Sequence, residues 1–365
     1  MYGDAVDATA TITDVARLAG VSPSTASKAL NGRDQVSPVT RQRVLAAARE
    51  LDYTPNLVAQ RLRGGTAPRS VGFLAGDGIG RFTLPVLLGA THALGSERIS
   101  VTLCDSRGDQ DLERDHLSRL AQQQVDGVIV LGSATDPRRP LAARINAPVV
   151  YAVAPSTDPA DLSVIPDERA GAQLAVEHLI SAGRSRIALI GGPTMERANT
   201  QRLGATEHTL HEHGLRLAGS RPYLGEWSEA WGRAATTLLL RDEPDVDAVF
   251  CTNDQLARGA VEMLRESGRR VPDDVAVVGF DNWSPYVTES RPPISSIDME
   301  LEELGRACVR LLFGAQDRPP RPGPIQLPCR LVPRESSGLG SAFTHGAEQH
   351  SGALVVHRVV DGVPD

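Results

Sequence analysis

Six residues near the start of the chain have side chains suited to reading DNA. They follow one another at helical spacing and are Ser22, Pro23, Ser24, Thr25, Ser27 and Lys28. A lysine ammonium can donate to guanine O6 and N7, and a serine hydroxyl can bond several base edges, whereas proline offers only apolar contact. Thr25 and the first amides of a helix suit phosphate oxygens. These residue types predict a surface that contacts duplex DNA.

The sequence around these residues predicts two short helices joined by a tight turn. Thr13 can cap a first helix that Gly20 ends, and Ser22-Pro23 caps and starts a second helix that runs to Leu30. The residues expected to face inward are Val21, Ala26 and Leu30. This arrangement is a helix-turn-helix, whose second helix lies in the major groove. We add Thr13 and Asn31, at the ends of this unit, to the predicted DNA contacts.

Two further helical segments follow. Ser37-Pro38 repeats the cap-and-proline start, and apolar residues then recur near the helical period at Val39, Val44, Leu45, Ala48 and Leu51. We interpret this third helix as packing support. Thr54-Pro55 starts a short fourth helix, which Gly64 and Gly65 end and which leads into a linker.

The formal net charge of -7 is unevenly distributed along the chain. Residues 12–63 hold eight Arg or Lys and four Asp or Glu side chains, so this segment carries +4 and the remainder -11. A basic head on an acidic body is typical of a polyanion-binding module joined to another domain. A solvated basic face would have the same composition, so charge alone leaves both interpretations open.

From Ser70 onward, short apolar segments alternate with helical ones such as 170–182 and 255–267. The predicted strands span residues 71–75, 99–104, 128–131, 149–152, 187–190, 248–251 and 275–278. Strands that are apolar on both faces indicate parallel, doubly wound α/β sheets, which bind ligands beyond the strand carboxyl ends. A break near 155–166 separates two similar halves, so we expect two lobes with a cleft between them.

Longer motifs in the chain resemble the lactose-repressor/galactose-repressor (LacI/GalR) family of transcriptional regulators. The head contributes TITDVARLAGVSPSTASKALNG, VSPVTRQRVLAAARELDYTPN and LVAQRLRG. The body contributes DERAGAQLAVEHLISAGRSRIALIGG, AVFCTNDQLARGAVEMLRESGRRVPDDVAVVGFDN, RPPISSID and LVPRESS. The resemblance implies a repressor that binds a palindromic operator as a dimer, under control of a small-molecule effector such as a sugar or related metabolite.

The resemblance also implies that residues 55–63 form a hinge helix that folds on DNA. Two such helices from a dimer would enter the minor groove together, with Leu62 as the wedge that kinks the duplex. Asn56, Ala59 and Arg63 would line the same groove. An ordinary buried leucine is the alternative interpretation of Leu62, and its position on a short basic segment favours the wedge.

Seven effector contacts are implied by the same resemblance. Arg202 matches an arginine that holds the effector, since its N–H donors suit sugar hydroxyls or a carboxylate, and Asp281 matches an acceptor in the second lobe. The remaining five are Asp77, Phe82, Asp167, Trp227 and Asn253. Met299 stands where the family often has a glutamine facing the ligand, which indicates a less polar pocket. A structural polar contact at a strand end is the alternative for each.

Five segments make up the expected domain organisation. They are a disordered start over 1–11, a helix-turn-helix domain over 12–54, a hinge and linker over 55–69, an effector-binding and dimerisation domain over 70–337, and a tail over 338–365 outside the resemblance. The resemblance implies a periplasmic-binding-protein-like body, with lobe crossings near 155–166, 282–294 and the early 320s. The chain lacks a leucine heptad for a four-chain bundle, so we expect a dimer.

Three other interpretations are weaker. Gly76-Asp77-Gly78-Ile79-Gly80 is similar to a dinucleotide fingerprint and suggests an NAD-binding enzyme, but its third glycine comes one residue early. His208, His211 and Glu212 share a helix face, yet no partner cluster supports a metal site, so a solvated face is favoured. A secreted sugar-binding protein would have a signal peptide, and the acidic start of this chain lacks that pattern.

The remaining features favour a cytoplasmic regulator. The cysteines Cys104, Cys251, Cys308 and Cys329 form no CxxC pair, so we expect buried, reduced thiols. No apolar run reaches the roughly 18 residues of a membrane span. No GxSxG, Walker or HExxH motif is present. We therefore expect a bacterial protein on the nucleoid when bound to DNA, without cofactor or metal, that is not an enzyme.

Overall fold

The computed structural model describes residues 10–30, 35–51, 53, 70–76, 80–94, 100–141, 143, 145–314 and 323–338. The chain divides into two compact units, a head (Met1–Ser70 with Ser96–Ser100) and a body (Val71–Gly95 with Val101–Asp365). Several predicted sites lie outside the described residues, namely the first nine residues, Asn31, the hinge with Asn56, Ala59, Leu62 and Arg63, then Asp77, and the tail from residue 339.

The described part of the head contains three helices, α1 (Ile12–Leu18), α2 (Pro23–Leu30) and α3 (Pro38–Glu50). Small apolar side chains around Val15, Ala26 and Val44 pack into one core. Ser22 accepts the N–H of Thr25 at 3.1 Å and so caps α2 at the predicted position. Ser37 caps α3 in the same way, which confirms the two predicted serine–proline starts.

The first helix starts earlier than the sequence prediction. Thr11 is the N-cap, and its amide donates to the Asp14 carboxylate at 3.0 Å while the Asp14 amide donates to Thr11 Oγ1 at 3.4 Å. The prediction that Thr13 caps α1 was wrong, because only Thr11 has an acidic residue three positions later to complete a reciprocal capping box. Thr13 is exposed on the first turn.

The buried face of α3 also differs from the predicted one. Val44, Ala47 and Ala48 are buried, whereas Val39 and Leu45 are 69% and 38% exposed. Residues three and four positions apart share a helix face, so Val44 selects Ala47 and Ala48 as its buried neighbours. The prediction chose the larger apolar side chains, Val39 and Leu45, as buried residues. The helices of this small head pack closely, and alanine fits their contact better.

The body is built from alternating strands and helices. In chain order they are β1 (Ser70–Ala75), α4 (Thr83–Leu94), β2 (Ser100–Asp105), α5 (Gln110–Gln122), β3 (Gly127–Leu131), β4 (Val149–Ala152), β5 (Leu162–Pro166), α6 (Glu168–Ser181), β6 (Ile187–Gly191), α7 (Arg197–Glu212), β7 (Tyr223–Leu224), α8 (Glu229–Asp242), β8 (Ala248–Cys251), α9 (Asp254–Glu266), β9 (Ala276–Asp281), α10 (Ser284–Val287), β10 (Ser295–Asp298), α11 (Leu301–Phe313), β11 (Gly323–Leu327) and β12 (Arg330–Val332). Short 3-10 turns occur at Ala218–Ser220 and Glu335–Ser337.

Two six-stranded sheets organise the two lobes. The sheet of lobe 1 has the order β11-β5-β4-β3-β1-β2, and that of lobe 2 the order β12-β10-β9-β8-β6-β7. Strand β12 runs antiparallel to β10, while the pairs β1–β3, β3–β4, β6–β8 and β8–β9 are parallel. All five residues of β3 are buried, and so are those of β6, as expected for sheets covered on both faces.

The chain passes between the lobes at three places. The first passage, at Asp167 between β5 and α6, adjoins the predicted interval. The second lies at residues 299–300 between β10 and α11, so the prediction of 282–294 was wrong. Strand β10 begins with two serines and gives no apolar run, which is why the sequence did not reveal it as a strand of lobe 2. The third lies at residues 328–329, slightly beyond the predicted early 320s.

All four cysteines are free and buried, as predicted. Burial raises the pKa of the Cys308 and Cys329 thiols to about 12, because a thiolate would lose its water contacts. These side chains therefore behave as small apolar groups of the core. Among the described residues, no helix is long and apolar enough to cross a membrane.

Candidate functional site

Helix α2 and its N-cap carry half of the twelve predicted DNA-contact residues. Ser22, Pro23 and Ser24 are exposed, and Thr25, Ser27 and Lys28 are partly buried. The Ser22 and Thr25 hydroxyls lie 2.9 Å apart at the N-cap, so both are already engaged in helix capping. Ser24 is exposed, and its hydroxyl is more accessible to a ligand than the hydroxyls of Ser22 and Thr25.

Lys28 is the only lysine among the 365 residues of the chain, and all other basic residues counted with it are arginines. It lies in the last turn of α2. Within the described part of the head, its ammonium has no hydrogen-bonding or ion-pair partner. A positive charge without a partner among the described residues of the head suits an external acceptor such as a base edge or a phosphate.

The turn between α1 and α2 is held by a side chain from α3. The Arg43 guanidinium donates to the carbonyl oxygens of Ala19 and Gly20, and Gly20 has a φ of 63°. That left-handed conformation favours glycine, because a β-carbon would be strained there. Arg43 therefore ties the third helix to the turn that sets the direction of α2.

A cluster of charged side chains lies where strands of the body's two sheets end. Arg202 Nη2 lies 2.8 Å from Glu168 Oε1 and 3.6 Å from Asp281 Oδ1. Its guanidinium carbon lies 3.7 Å from the centre of the Phe280 ring. Glu168 follows β5 and Asp281 ends β9, so the cluster occupies the strand carboxyl ends, where doubly wound sheets bind ligands.

Arg202 is buried and almost fully engaged within the protein. The residue is 2% exposed, and its Nη1 donates to the carbonyl of Thr252. Its Nε atom is buried and has no hydrogen-bond partner among the described residues. A buried arginine is stable only with counter-charges, which Glu168 and Asp281 provide.

Lobe 1 reaches this cluster through Arg81. Arg81 Nη1 lies 3.0 Å from Asp281 Oδ2, and its guanidinium carbon lies 4.6 Å from the Phe82 ring centre and 6.0 Å from that of Trp283. Asp281 itself has a φ of 104°, a strained conformation for an aspartate, and strain of this kind is concentrated at functional sites. The Arg81–Asp281 ion pair thus connects the two lobes directly.

Two more contacts join the lobes on the other side of Arg202. Thr135 Oγ1, from lobe 1, lies 3.3 Å from each Glu168 oxygen, and the Arg197 amide donates to Asp136 Oδ1 at 2.8 Å. Arg197 Nη1 also bonds Glu168 Oε2 at 3.0 Å. The lobes are therefore in contact across the cleft, as in a closed state.

Two buried amides offer unused donors beside Arg202. Asn253 Oδ1 caps α9 by accepting the Leu256 amide at 2.8 Å, and Asn199 Oδ1 accepts the Gly192 amide at 3.1 Å. The Nδ2 atoms of Asn253 and Asn199 are buried without a partner in the described structure. Buried donors normally have partners, so these two suit oxygen atoms of a bound molecule.

The other predicted effector residues have specific placements. Trp227 packs its ring on Gly192 and donates Nε1–H to Glu196 Oε2 at 2.6 Å. Asp167 caps α6 by accepting the Ala170 amide at 3.0 Å, so its carboxylate has a structural role. Phe82 is buried in the core below Arg81, and Met299, which the sequence suggested would face the ligand, is fully buried in the same core.

An additional carboxyl group, that of Asp254, is buried behind Asp281. It accepts hydrogen bonds from Ser296 Oγ and the Trp283 amide, each at 2.6 Å. Burial raises the pKa of Asp254 well above its usual value, and the neighbouring Asp281 charge raises it further, while the two hydrogen bonds oppose the shift. The two hydrogen bonds hold this carboxyl group in place directly behind Asp281.

Sequence reasoning missed Glu168, Asn199, Arg81 and Thr135. Glu168 stands directly after the predicted Asp167 in PDERAG, so the motif had pointed to the correct place and the wrong carboxylate. The pairing of Glu168 with Arg202 depends on how α6 packs against α7, which the local sequence does not report. No signal in the sequence would have separated Asn199 from other helical asparagines.

The alternative metal site on α7 has little geometric support. His208 Nε2 and Glu212 Oε1 lie 3.5 Å apart with side chains that are 65% and 53% exposed. Within the described residues, no group of three or more His, Cys, Asp or Glu could hold a metal ion. The glycine-containing loop after β1 lies partly outside the described residues, so its dinucleotide alternative stays untested by geometry.

Comparison with known proteins identifies the class. Residues 11–56 match the family described as bacterial regulatory proteins, lacI family, and residues 176–337 match the periplasmic binding protein-like domain. The chain is 35% identical over 338 residues to the HTH-type transcriptional regulator CelR of Thermobifida fusca, covering 89% of this chain and 98% of CelR. It is 32% identical over 313 residues to the HTH-type transcriptional repressor PurR of Mannheimia succiniciproducens, covering 83% and 91%.

Solved structures give the same result. A CelR–cellobiose complex matches with a TM-score of 0.59 and 32% identity, and a Lac repressor dimer bound to operator and the anti-inducer ONPF matches with a TM-score of 0.72 and 28% identity. Each comparison covers 90% of this chain and 99% of the other. This chain therefore belongs to the lacI family of bacterial regulatory proteins. It is a helix-turn-helix transcriptional regulator with a two-lobed, periplasmic-binding-protein-like body, which confirms the predicted fold class.

Proposed function

We propose that this regulator is a repressor that binds a palindromic operator as a homodimer and is controlled by an uncharged, hydroxyl-rich effector bound between the lobes. The proposed class of effector rests on one observation, namely that Arg202 already faces the two carboxylates of Glu168 and Asp281. A neutral sugar needs donors and acceptors but adds no charge, so it fits a site whose arginines already have carboxylate partners.

The DNA-binding part rests on the exposed polar face of α2. Ser24 and Lys28 would reach base edges in the major groove, while Ser22, Thr25 and the first amides of α2 would bind phosphates. Thr13, Pro23 and Ser27 complete the proposed surface in the head. The proposed roles of Asn31 and of the hinge residues Asn56, Ala59, Leu62 and Arg63 rest on the sequence resemblance.

The effector site would combine seven predicted residues with those that the structure adds. Arg202 Nε, Asn199 Nδ2 and Asn253 Nδ2 supply buried donors without partners, and Asp281 supplies acceptor oxygens. We propose that Trp227 offers a ring face for a sugar, whereas the proposed roles of Phe82, Asp167 and Asp77 rest on the sequence resemblance. The relative whose solved structure is a complex with cellobiose supports the sugar class.

The remaining parts of the proposal follow from the family. The Lac repressor structure is a dimer on its operator, and a two-fold dimer matches a palindromic site. We propose that the chain acts by regulated binding and not by catalysis, with no cofactor. A regulator that must reach bacterial DNA would work in the cytoplasm.

The DNA-binding part is tested by selecting bound sequences from a random duplex pool at low salt. We expect a single palindrome with a flexible central step, since kinkable steps lower the energy of bending. Absence of enrichment, both with purified protein and after addition of cell extract as a source of co-repressor, would contradict this part of the proposal.

The effector part is tested by a thermal-shift panel of neutral sugars, including cellobiose, alongside glucuronate and glucose 6-phosphate. We expect a neutral sugar to raise the melting temperature and to change operator affinity. Arg202→Lys should abolish this response, because a single ammonium cannot reproduce the guanidinium contacts, while operator binding persists. Arg114→Lys, at an exposed ion pair on α5, is the matched control. Stabilisation by the anionic sugars alone would contradict the proposal.

A further inference from the structure

We propose that Glu168 is a specificity-determining residue that acts as an internal counter-charge for Arg202 and Arg197 and thereby excludes anionic ligands from the cleft. This inference rests on the proposed function, because it names the charge class of ligand that the same site accepts.

The geometry of Glu168 is that of a fully engaged, buried anion. The residue is 2% exposed and sits in the first turn of α6. Its Oε1 lies 2.8 Å from Arg202 Nη2, and its Oε2 lies 3.0 Å from Arg197 Nη1. Thr135 Oγ1 lies 3.3 Å from both oxygens. Both carboxylate oxygens therefore already have donors, so Glu168 has little capacity left for ligand hydroxyls.

The three arginines around the cleft already have carboxylate partners. Arg81 pairs with Asp281, and Arg197 and Arg202 both pair with Glu168. Where water is excluded, each uncompensated charge is costly, so these pairings favour a stable closed cleft.

An anionic ligand would disturb this arrangement in two ways. It would place a second negative charge next to Glu168, and it would have to compete with Glu168 for Arg202 Nη2 and Arg197 Nη1. A neutral hydroxyl needs only an unused donor such as Arg202 Nε. Removal of the Glu168 charge would leave two arginine donor groups facing one space, which is the arrangement that binds carboxylate and phosphate oxygens.

The test replaces Glu168 with glutamine, which keeps the shape and one acceptor oxygen but removes the charge. The probe is inorganic phosphate, measured by thermal shift and isothermal titration on the full chain, with chloride salt at equal ionic strength as reference. Glu168→Gln should bind phosphate at least about tenfold more tightly than the wild type. Glu177→Gln is the matched control, since Glu177 lies on the same helix and accepts only a surface bond from Gln173 at 2.7 Å. Equal phosphate affinity in all three proteins would overturn the proposal.

A charge-restoring variant covers the case in which Glu168→Gln does not fold. Glu168→Gln combined with Arg197→Gln removes one charge of each sign, so it should recover folding and show no gain in phosphate affinity. Failure of the double variant to fold would show that the hydrogen bonds of Glu168, and not its charge, are essential, and would overturn the counter-charge role.

The readout also separates this inference from the proposed function. If no neutral sugar binds, yet Glu168→Gln gains phosphate affinity, the counter-charge role stands and the proposed effector class fails. If a neutral sugar binds and Glu168→Gln gains nothing, the effector class stands and the role of Glu168 fails. Tight binding of glucuronate or glucose 6-phosphate to the wild type would overturn the exclusion of anions directly.

Discussion

Single residues in the cleft have structural and ligand-binding roles that are difficult to separate. Arg202 binds Glu168, faces Asp281 and stacks on Phe280, so it contributes to the closed body before any ligand is present. Removing one member of a buried ion pair commonly costs about 3–5 kcal/mol, because the other charge is left uncompensated. Arg202→Ala would therefore confuse unfolding with loss of binding, which is why Arg202→Lys is the more informative change.

In the head, Lys28 gives the clearest prediction for a single residue. Lys28→Ala should weaken operator binding by about 1–3 kcal/mol if its ammonium contacts a base, and leave the melting temperature of the body unchanged. Fluorescence anisotropy with the selected operator and with a scrambled duplex is the measurement. An equal loss on both duplexes would show a phosphate contact instead of base recognition.

The same residue allows a direct footprint, since Lys28 is the only lysine in the chain. An amine-reactive reagent should label the peptide that contains Lys28 in free protein and label it less when operator is bound. The scrambled duplex at the same concentration serves as the control. Full labelling in the operator complex would place Lys28 away from the DNA.

The elements of the body depend on glycines at close helix contacts. A β-carbon at Gly89 of α4 would lie 1.8 Å from the Glu302 carbonyl oxygen, and one at Gly305 of α11 would lie 2.1 Å from that of Val86. These two glycines therefore allow α4 and α11 to pack backbone against backbone in lobe 1. Helices α8 and α9 use Gly232 and Gly259 in the same way in lobe 2.

Gly305→Ala should consequently destabilise the body. Forcing the α4–α11 contact apart should cost about 1–3 kcal/mol, as overpacking in a close-packed core generally does. Gly204→Ala on α7 is the matched control, because the new β-carbon would lie 3.8 Å from its nearest neighbour, the side chain of Arg169. There, alanine should stabilise the helix by up to about 1 kcal/mol. Denaturant unfolding measures both, and equal effects would contradict the packing argument.

In the head, elements are short and depend on one another. Helix α1 has seven residues, too few for an isolated helix to be stable in water. Its Thr11–Asp14 capping box and the contact from Arg43 to the following turn compensate for that length. Local capping and tertiary contact thus together determine where α2 points.

At the scale of the whole molecule, control of DNA binding requires a body with at least two arrangements that bind the effector differently. The inter-lobe contacts Arg81–Asp281, Thr135–Glu168 and Arg197–Asp136 define the closed arrangement described here. In each contact, one of the two residues belongs to the charged cluster around Arg202 or binds a member of that cluster. Effector binding and lobe closure are therefore expected to be energetically linked.

Arg81→Gln tests this link. Loss of the ion pair with Asp281 should favour open lobes, so the affinity for the neutral sugar should fall by about tenfold and small-angle scattering should show a larger radius of gyration. Arg138→Gln is the matched control, because Arg138 pairs with Glu113 at 2.7 Å within lobe 1 and is similarly exposed, at 22% against 23% for Arg81. The same loss of sugar affinity in both variants would contradict a specific role for the inter-lobe pair.

Local signals in the sequence were sufficient for the class of protein and for much of its fold. Serine–proline starts, apolar strand runs and the longer motifs predicted the helix-turn-helix, the doubly wound lobes and the neighbourhood of Arg202 and Asp281. These features depend on residues close together in the chain, where capping chemistry and periodicity act directly. The cap was wrongly placed at Thr13 although the local sequence distinguishes the two threonines, because only Thr11 is followed three residues later by an acidic side chain, Asp14.

Tertiary structure alone decided which charges meet. Glu168, and not Asp167, neutralises Arg202, because the first turn of α6 directs one carboxylate to its own backbone and the next into the cleft. Arg81 meets Asp281 from another lobe, and β10 joins lobe 2 despite its polar start. Such pairings depend on how sheets and helices pack over long sequence separations, and a buried charge is satisfied by whichever partner that packing brings near. The sequence by itself therefore determined the kind of protein, and the packing of the two lobes determined which charges pair in its cleft.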